Sequence, residues 1–207
     1  MSDADSTVFI VDDDASMRRS LQLLVESGGW RTELFACGCE FLSRPRLPAP
    51  ACLVLDLLLP DLSGLDVQRI VATRTDLPVI FITGAGDVPT TVNAMKAGAL
   101  EFLTKPFASD VLLSAVGSAI DRSRRVRERE GELQQLLRCY SALSPREQQV
   151  MTLVVGGRLN KQVGSELGIS EITVKAHRGK VMRKMKAGSL PDLVRMAVKL
   201  SPAPVGW

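Results

Sequence analysis

VFIVDDD, residues 8–14, sets four consecutive apolar side chains directly ahead of three carboxylates. A run with no polar face to give to solvent reads as a parallel strand buried on both sides, and the acids then stand where its carboxyl end emerges. Outward from it, CLVL at 52–55, VIFIT at 79–83 and the shorter EFL at 101–103 repeat the pattern. Between these runs the spacing is helical: Met17, Leu21, Leu24 and Val25 precede Gly28-Gly29, and Val67, Ile70 and Val71 precede Leu77-Pro78. Strands alternating with helices predict a doubly wound α/β sheet.

In such a sheet ligands bind beyond the carboxyl ends of the strands. The polar residues there are Asp12-Asp13-Asp14, Asp56, Thr83-Gly84 and Lys105-Pro106, so carboxylates, a hydroxyl and an ammonium share one edge. Clustered carboxylates raise one another's pKa unless a cation sits among them, and hard oxygen ligands suit Mg²⁺ or Ca²⁺, Mg²⁺ being favoured here. A carboxylate beside Mg²⁺ can accept a phosphoryl group, with Lys105 offsetting the charge on the transferred oxygens. Each residue alone has a plainer reading, since an Asp after a strand is commonly a turn or N-cap residue. Asp14 serves equally as the N-cap of the first helix, and Phe102 equally as a core aromatic. The four strand ends taken in order carry the chemical argument.

After Pro106 a helix starting near Ser109 continues through DRSRRVREREGELQQLLR (121–138), with Gly131 its weak point. This linker has few apolar positions, and a coiled coil is one alternative for it. Strand-like runs then vanish. Ser144, Pro145 and Glu147 supply an N-cap, a first-turn proline and a capping-box acid. Residues 143–200 parse as four helices starting near Pro145, Lys161, Glu171 and Leu190, capped by Ser144, Asn160, Ser170 and Ser189. A tight turn at Gly168-Ile169 makes the middle pair a helix-turn-helix. On a helical wheel Val174, Val181 and Met185 face the core, while Lys175, Ala176, Gly179 and Arg183 fall opposite. Lys175 is placed to reach base edges, with Arg178, Lys180, Arg183 and Lys184 as phosphate contacts. The plain alternative is a solvated basic face.

The net charge of +3 over 207 residues hides an asymmetry: residues 1–120 carry −6 and residues 138–207 carry +8. A basic half is the footprint of a nucleic-acid binder, and the length suits two modest cores. With 45% hydrophobic and 24% charged residues, the composition excludes a disordered or fibrous chain. Four cysteines without a C-x-x-C pair and a single histidine, His177, argue against zinc and a disulfide framework. The acidic start lacks the cations of a signal peptide, and no apolar run reaches the roughly 18 residues of a membrane span. A cytoplasmic protein is expected.

VFIVDDD, LVLDLLLPDLSG, FITGAGD and EFLTKPF resemble the four signatures of the receiver domain of two-component signalling, over roughly residues 6–120. LSPRE, NKQVGSELGIS and TVKAHRGKVMRKM are similar to the effector domain of the FixJ/LuxR (NarL-like) regulators, over roughly 140–200. The resemblance implies a flavodoxin/CheY-like five-stranded parallel sheet at 1–120, a helical linker at 121–139 and an all-α four-helix helix-turn-helix domain at 140–207. It makes Asp56 the phosphoacceptor. Asp13, Asp56 and the backbone carbonyl of Leu58 would ligate Mg²⁺, and Asp12 would act mostly through water. Thr83 would hydrogen-bond the phosphoryl oxygen, Lys105 would pair with it, and Phe102 would turn inward as Thr83 moves. Lys105-Pro106 would be a cis peptide. Lys175, Ala176 and Gly179 would face the major groove, with Lys161, Thr173, Arg178 and Lys180 along the backbone, although Gly179 is smaller than the residue often found there.

The implied function is a phosphorylation-controlled transcription regulator, not an enzyme beyond slow self-dephosphorylation. Its partners would be a sensor histidine kinase, promoter DNA, a second copy meeting it across residues 88–107, and RNA polymerase as a further candidate, with no membrane role. Two alternatives stand beside it. A haloacid-dehalogenase-like phosphohydrolase would use Asp12 as nucleophile, but it leaves Asp56 and residues 138–207 unexplained. A receiver-like DNA-binding protein would work unphosphorylated.

Overall fold

Every residue of VFIV is buried in the computed structural model, which describes residues 5–84, 92 and 94–200. The run forms β1 (Thr7–Val11), and it is followed by α1 (Ala15–Ser27), β2 (Arg31–Phe35), α2 (Gly38–Leu42), β3 (Ala51–Asp56), α3 (Gly64–Val71), β4 (Val79–Thr83) and β5 (Glu101–Thr104). The strands make one parallel sheet in the order β2-β1-β3-β4-β5. The chain divides into two units, Met1–Glu128 and Arg129–Trp207. Residues 85–91 and 93, which include the end of FITGAGD and part of the expected 88–107 pairing face, lie outside the described residues, as does the tail from 201.

Successive side chains of a strand point to opposite faces, so each apolar run supplies two cores. Phe9, Val11, Leu53, Leu55 and Phe81 pack on one face with Phe41 of α2 and Val67 and Val71 of α3. Val8, Ile10, Cys52, Val54, Ile80 and Ile82 pack on the other with Leu21 and Val25 of α1 and with Leu112, Val116, Ala119 and Ile120 of the long helix α4 (Ser109–Ser141). Covering both faces is why these strands show no polar alternation. The edge strands β2, RTELF, and β5, EFLT, are partly exposed, and the mixed composition of β2 hid it from the strand pattern.

Local chemistry fixes the ends. Asp14 caps α1, its Oδ1 accepting from the amides of Ser16 at 2.8 Å and Met17 at 3.3 Å. The α2 start has no side-chain cap of its own; Asp61, more than twenty residues on, accepts from the amides of Gly38 at 3.0 Å and Cys39 at 2.7 Å. A hydrogen bond from the Cys39 thiol, joined by these backbone amides, holds the Asp61 carboxyl far below the usual carboxylate range. The helical linker expected from 121 is anchored at its start: the buried Ser123 hydroxyl accepts from the Ala51 amide and donates to the Asp76 carbonyl, and Arg127 pairs with the buried Asp76 carboxylate.

In the second unit, the end of α4 is followed by α5 (Pro145–Val155), α6 (Asn160–Leu167), α7 (Glu171–Met185) and α8 (Leu190–Leu200). Leu136, Leu143, Met151, Val181, Met185 and Leu193 form one core cluster, and Val150, Val154, Val163 and Val174 another. Gly168 ends α6 at φ 67°, the left-handed conformation glycine adopts freely. The expectation that Asn160 caps α6 is corrected: Leu159 is the N-cap residue, its amide satisfied by Gln162 Oε1 at 2.8 Å. Asn160 lies inside the helix and instead accepts a hydrogen bond from Arg178 at 3.2 Å.

Gly64 begins α3 where the chain leaving Asp56 folds back, and a Cβ there would lie 2.3 Å from the Asp56 carbonyl oxygen and 3.0 Å from Leu57 Cα. Both obstacles are backbone and cannot rotate away. Gly64→Ala should therefore destabilise the first unit by about 1–3 kcal/mol, the usual cost of overpacking, as read from urea unfolding; a change below about 0.5 kcal/mol would show that the loop yields freely.

Candidate acidic site and nucleic-acid interface

Strand register assembles the acidic site. Val11 lies opposite Leu55 in the β1–β3 pairing, so the next residues, Asp12 and Asp56, emerge side by side. Asp56 pairs with Ile82, and Thr83 with Thr104, which brings Thr83 and Lys105 to the same edge. This edge is also where the sheet switches direction, because β1 has β2 on one side and β3 on the other.

The side chains converge as their order along the chain suggests. Lys105 Nζ donates to Asp12 Oδ2 at 2.9 Å and to Asp56 Oδ2 at 2.7 Å. Asp12 is wholly buried, Asp56 nearly so, and Asp13 is exposed. The other oxygens are held by backbone: Asp12 Oδ1 accepts from the Asp14 amide at 2.9 Å, and Asp56 Oδ1 from the Leu58 amide at 3.2 Å. Burial raises the Asp12 carboxyl above its ordinary value despite the hydrogen bonds from Lys105 and Asp14. At Lys105 burial pulls the other way, but the hydrogen bonds to Asp56 and Asp12 outweigh it and hold the ammonium above its ordinary value.

Asp12, Asp13 and Asp56 each offer one carboxylate oxygen, and the three lie within 4.8 Å of one another. All are hard oxygens at an edge open to solvent through Asp13, a donor set that fits Mg²⁺. Thr83 is fully buried, and its carbonyl accepts from the Lys105 amide at 2.7 Å. The Lys105-Pro106 bond is cis. Phe102 is half-buried against Phe81, ring centroids 6.3 Å apart, within the core of the first face. Leu58 is exposed beside the site. One residue escaped the sequence pattern: Arg18 of α1 donates to the Asp12 carbonyl at 2.6 Å, tying the loop to its helix.

In the second unit α7 presents one face inward and one outward. Val174, Val181 and Met185 are buried, and Lys175, Ala176, Gly179, Lys180 and Arg183 are exposed, as is Lys161 on α6. Ser170 caps the helix through the Thr173 amide, and the two hydroxyls share a hydrogen bond of 2.8 Å, so Thr173 is half-buried at the turn. Lys175 pairs with Glu171 at 3.2 Å; both are exposed, and such an i,i+4 pair, at about 0.3–0.5 kcal/mol, yields readily to an anion. Arg178 is half-buried on Asn160. His177 is half-buried, in keeping with a packed residue.

Lys184 is a correction. Expected among the phosphate contacts, it reaches Glu147 Oε2 at 2.6 Å and the Ala142 carbonyl at 3.0 Å. Glu147 is the buried capping-box acid of α5, also accepting from the Ser144 amide at 2.8 Å. Lys184 therefore holds α7 to α5.

Comparison with known proteins agrees with both halves. Residues 8–117 match the model of the response regulator receiver domain, and residues 141–197 that of the bacterial regulatory proteins of the luxR family. Nodulation protein W of Bradyrhizobium diazoefficiens is 51% identical over 93% of this chain and 86% of its own. The response regulator protein TmoT of Ectopseudomonas mendocina is 45% identical over 97% of this chain and 91% of its own. The solved structure of the response regulator StyR superposes with a TM-score of 0.86 at 43% identity, covering 94% of this chain and 99% of that one.

Lys184 and the Ser144 amide lower the Glu147 carboxyl from 4.5 to about 2. A depressed folded-state pKa means that protons bind the unfolded chain first, so this stabilisation is complete above pH 4.5 and is lost as pH falls toward 2. In the full chain, amide exchange in α5 and α7, corrected for its intrinsic pH dependence, should lose protection across that window. Glu147→Gln should be less protected at neutral pH and much less sensitive to acid; an acid response equal to that of the parent would contradict the assignment.

Proposed function

The chain belongs to the response regulators that join a receiver domain to a LuxR-family DNA-binding domain, and on that premise we propose that phosphorylation of Asp56 controls its occupancy of promoter DNA. The observation that carries the proposal is the Lys105 ammonium bridging Asp12 and Asp56, with Asp13 alongside, at the carboxyl edge of the sheet. The family match leaves no support for a dehalogenase-like hydrolase: Asp12, its proposed nucleophile, is wholly buried with both oxygens engaged.

Asp12, Asp13 and Asp56, with the backbone carbonyl of Leu58, would hold Mg²⁺, which when bound supplies positive charge to the phosphoryl oxygens. In the transfer an Asp56 carboxylate oxygen bonds to the phosphorus of a phosphohistidine on the sensor kinase. The phosphorus–nitrogen bond breaks, and its electron pair stays on the imidazole. Lys105, already 2.7 Å from Asp56, meets the negative charge that arrives, and the Thr83 hydroxyl takes a hydrogen bond role on the phosphoryl oxygen. Phe102 follows Thr83 inward, altering the surface around residues 88–107 and favouring a second copy. Pairing places two α7 helices on successive major grooves, where bivalency raises affinity for paired half-sites. RNA polymerase is a further candidate partner.

On this reading residues 1–120 serve as the receiver, 121–139 as a linker helix and 140–207 as the DNA-binding domain. In the DNA-binding domain Lys175, Ala176 and Gly179 meet base edges, while Lys161, Thr173, Arg178, Lys180 and Arg183 contact the backbone. The chain acts in the cytoplasm as a regulator rather than an enzyme; no described helix is long and apolar enough to cross a membrane.

Two measurements check this. Intact mass after incubation with acetyl phosphate and Mg²⁺ should show a phosphoryl adduct that Asp56→Asn abolishes; an adduct persisting in that variant would place the acceptor elsewhere. Arg183→Ala or Lys180→Ala should weaken binding almost equally across duplex sequences and reduce the salt slope by about one. An unchanged slope would remove that residue from the phosphate contacts.

A further inference from the structure

Ile172 is the most exposed large apolar side chain among the described residues, at 80%. It lies in the first turn of α7, beyond the reach of the cores that bury Val174, Val181 and Met185. Helical spacing places Ile172, Ala176 and Gly179 at i, i+4 and i+7, one above another on the exposed face. A Cβ at Gly179 would meet nothing within 4 Å, so the domain's own packing does not require glycine there. The result is a smooth apolar stripe whose lower half allows another surface to come close to the helix.

The stripe is bordered by exposed Lys175, Lys180 and Arg183, and by Lys161 on α6. A basic border fits a polyanion. Within the major groove the one apolar group on a base edge is the C5-methyl of thymine. Hydrogen-bonding readout requires polar side chains, and the stripe itself carries none; the polar groups nearest it are the flanking Lys175, Lys180 and Arg183.

We infer that this chain reads thymine methyl groups in the major groove through Ile172 and Ala176, with Gly179 letting the helix settle close to the bases. The inference rests on the DNA-binding reading above and narrows it: the half-site is marked by thymines at fixed positions, recognised by apolar contact. Ile172 is the specificity-determining residue.

Duplexes selected from a random pool by the full chain, treated with acetyl phosphate and Mg²⁺, supply the probe. Each selected thymine is then replaced by deoxyuridine, which deletes the methyl and leaves base pairing intact. At one or more positions the replacement should weaken wild-type binding about fourfold, the worth of one buried methyl. Ile172→Ala should bind thymine and uracil duplexes alike at that position, with unchanged salt slope and unchanged melting. Indifference of the wild type to uracil at every selected thymine would overturn the inference, as would an Ile172→Ala variant that keeps the full uracil penalty. Unchanged duplex affinity in Ile172→Ala together with lost transcriptional output would assign the stripe to a protein partner and overturn it as well. Failure of the chain to bind any duplex in a salt-sensitive way is a different result, which removes the DNA-binding reading itself.

Discussion

The Lys105 ammonium between the Asp12 and Asp56 carboxylates is the interaction on which the first unit is arranged. Two acids brought together by strand register at a largely buried edge repel one another and lose hydration, and an isolated buried carboxylate is costly. One cation reaching both offsets this, and backbone amides at Asp14 and Leu58 take the remaining oxygens. The arrangement also leaves the site poised: the two acids are compensated by a flexible side chain, which a new anion on Asp56 could draw away from Asp12. Asp13, exposed at the rim, adds a third carboxylate with no part in that ion pair.

The packing beneath exists to hold that edge in register. Continuous apolar strands with helices on both faces leave little freedom for slippage, since a shift of one residue would exchange the two cores. The loop leaving Asp56 is pinned twice, by Gly64 against the Asp56 carbonyl and by Asp61 on the amides of α2. The same economy governs the second unit, where the Glu147–Lys184 pair holds α7 to α5 and the Arg178–Asn160 hydrogen bond ties α7 to α6. The outward face of α7 is thereby left to Ile172, Lys175, Ala176, Gly179, Lys180 and Arg183.

Much of this was legible in the sequence, because the informative signals are local. β1, β3 and β4 are unbroken apolar runs ending in the residues that matter, and the helix starts at Pro145, Glu171 and Leu190 carry their own caps. What was not legible depends on distant partners. β2 is an edge strand without a clean pattern, and α2 borrows its cap from Asp61 across the sequence. Lys184 looked like one more cation on a basic helix until Glu147 was found beneath it, and Asn160 looked like a cap although the capping group comes from Gln162. Ile172 shares the outward face with Ala176 and Gly179 by helical spacing, but an isoleucine on a helix is ordinarily read as core, and its 80% exposure is what singles it out.

Charge added at Asp56 is proposed to change DNA occupancy. The direct measurement is fluorescence anisotropy of a selected duplex titrated with the full chain, with and without acetyl phosphate and Mg²⁺, alongside Asp56→Asn. Phosphorylation should tighten binding by the parent and leave the variant unchanged. Equal affinity in all four titrations would contradict it, leaving a receiver-like protein that binds DNA without phosphate.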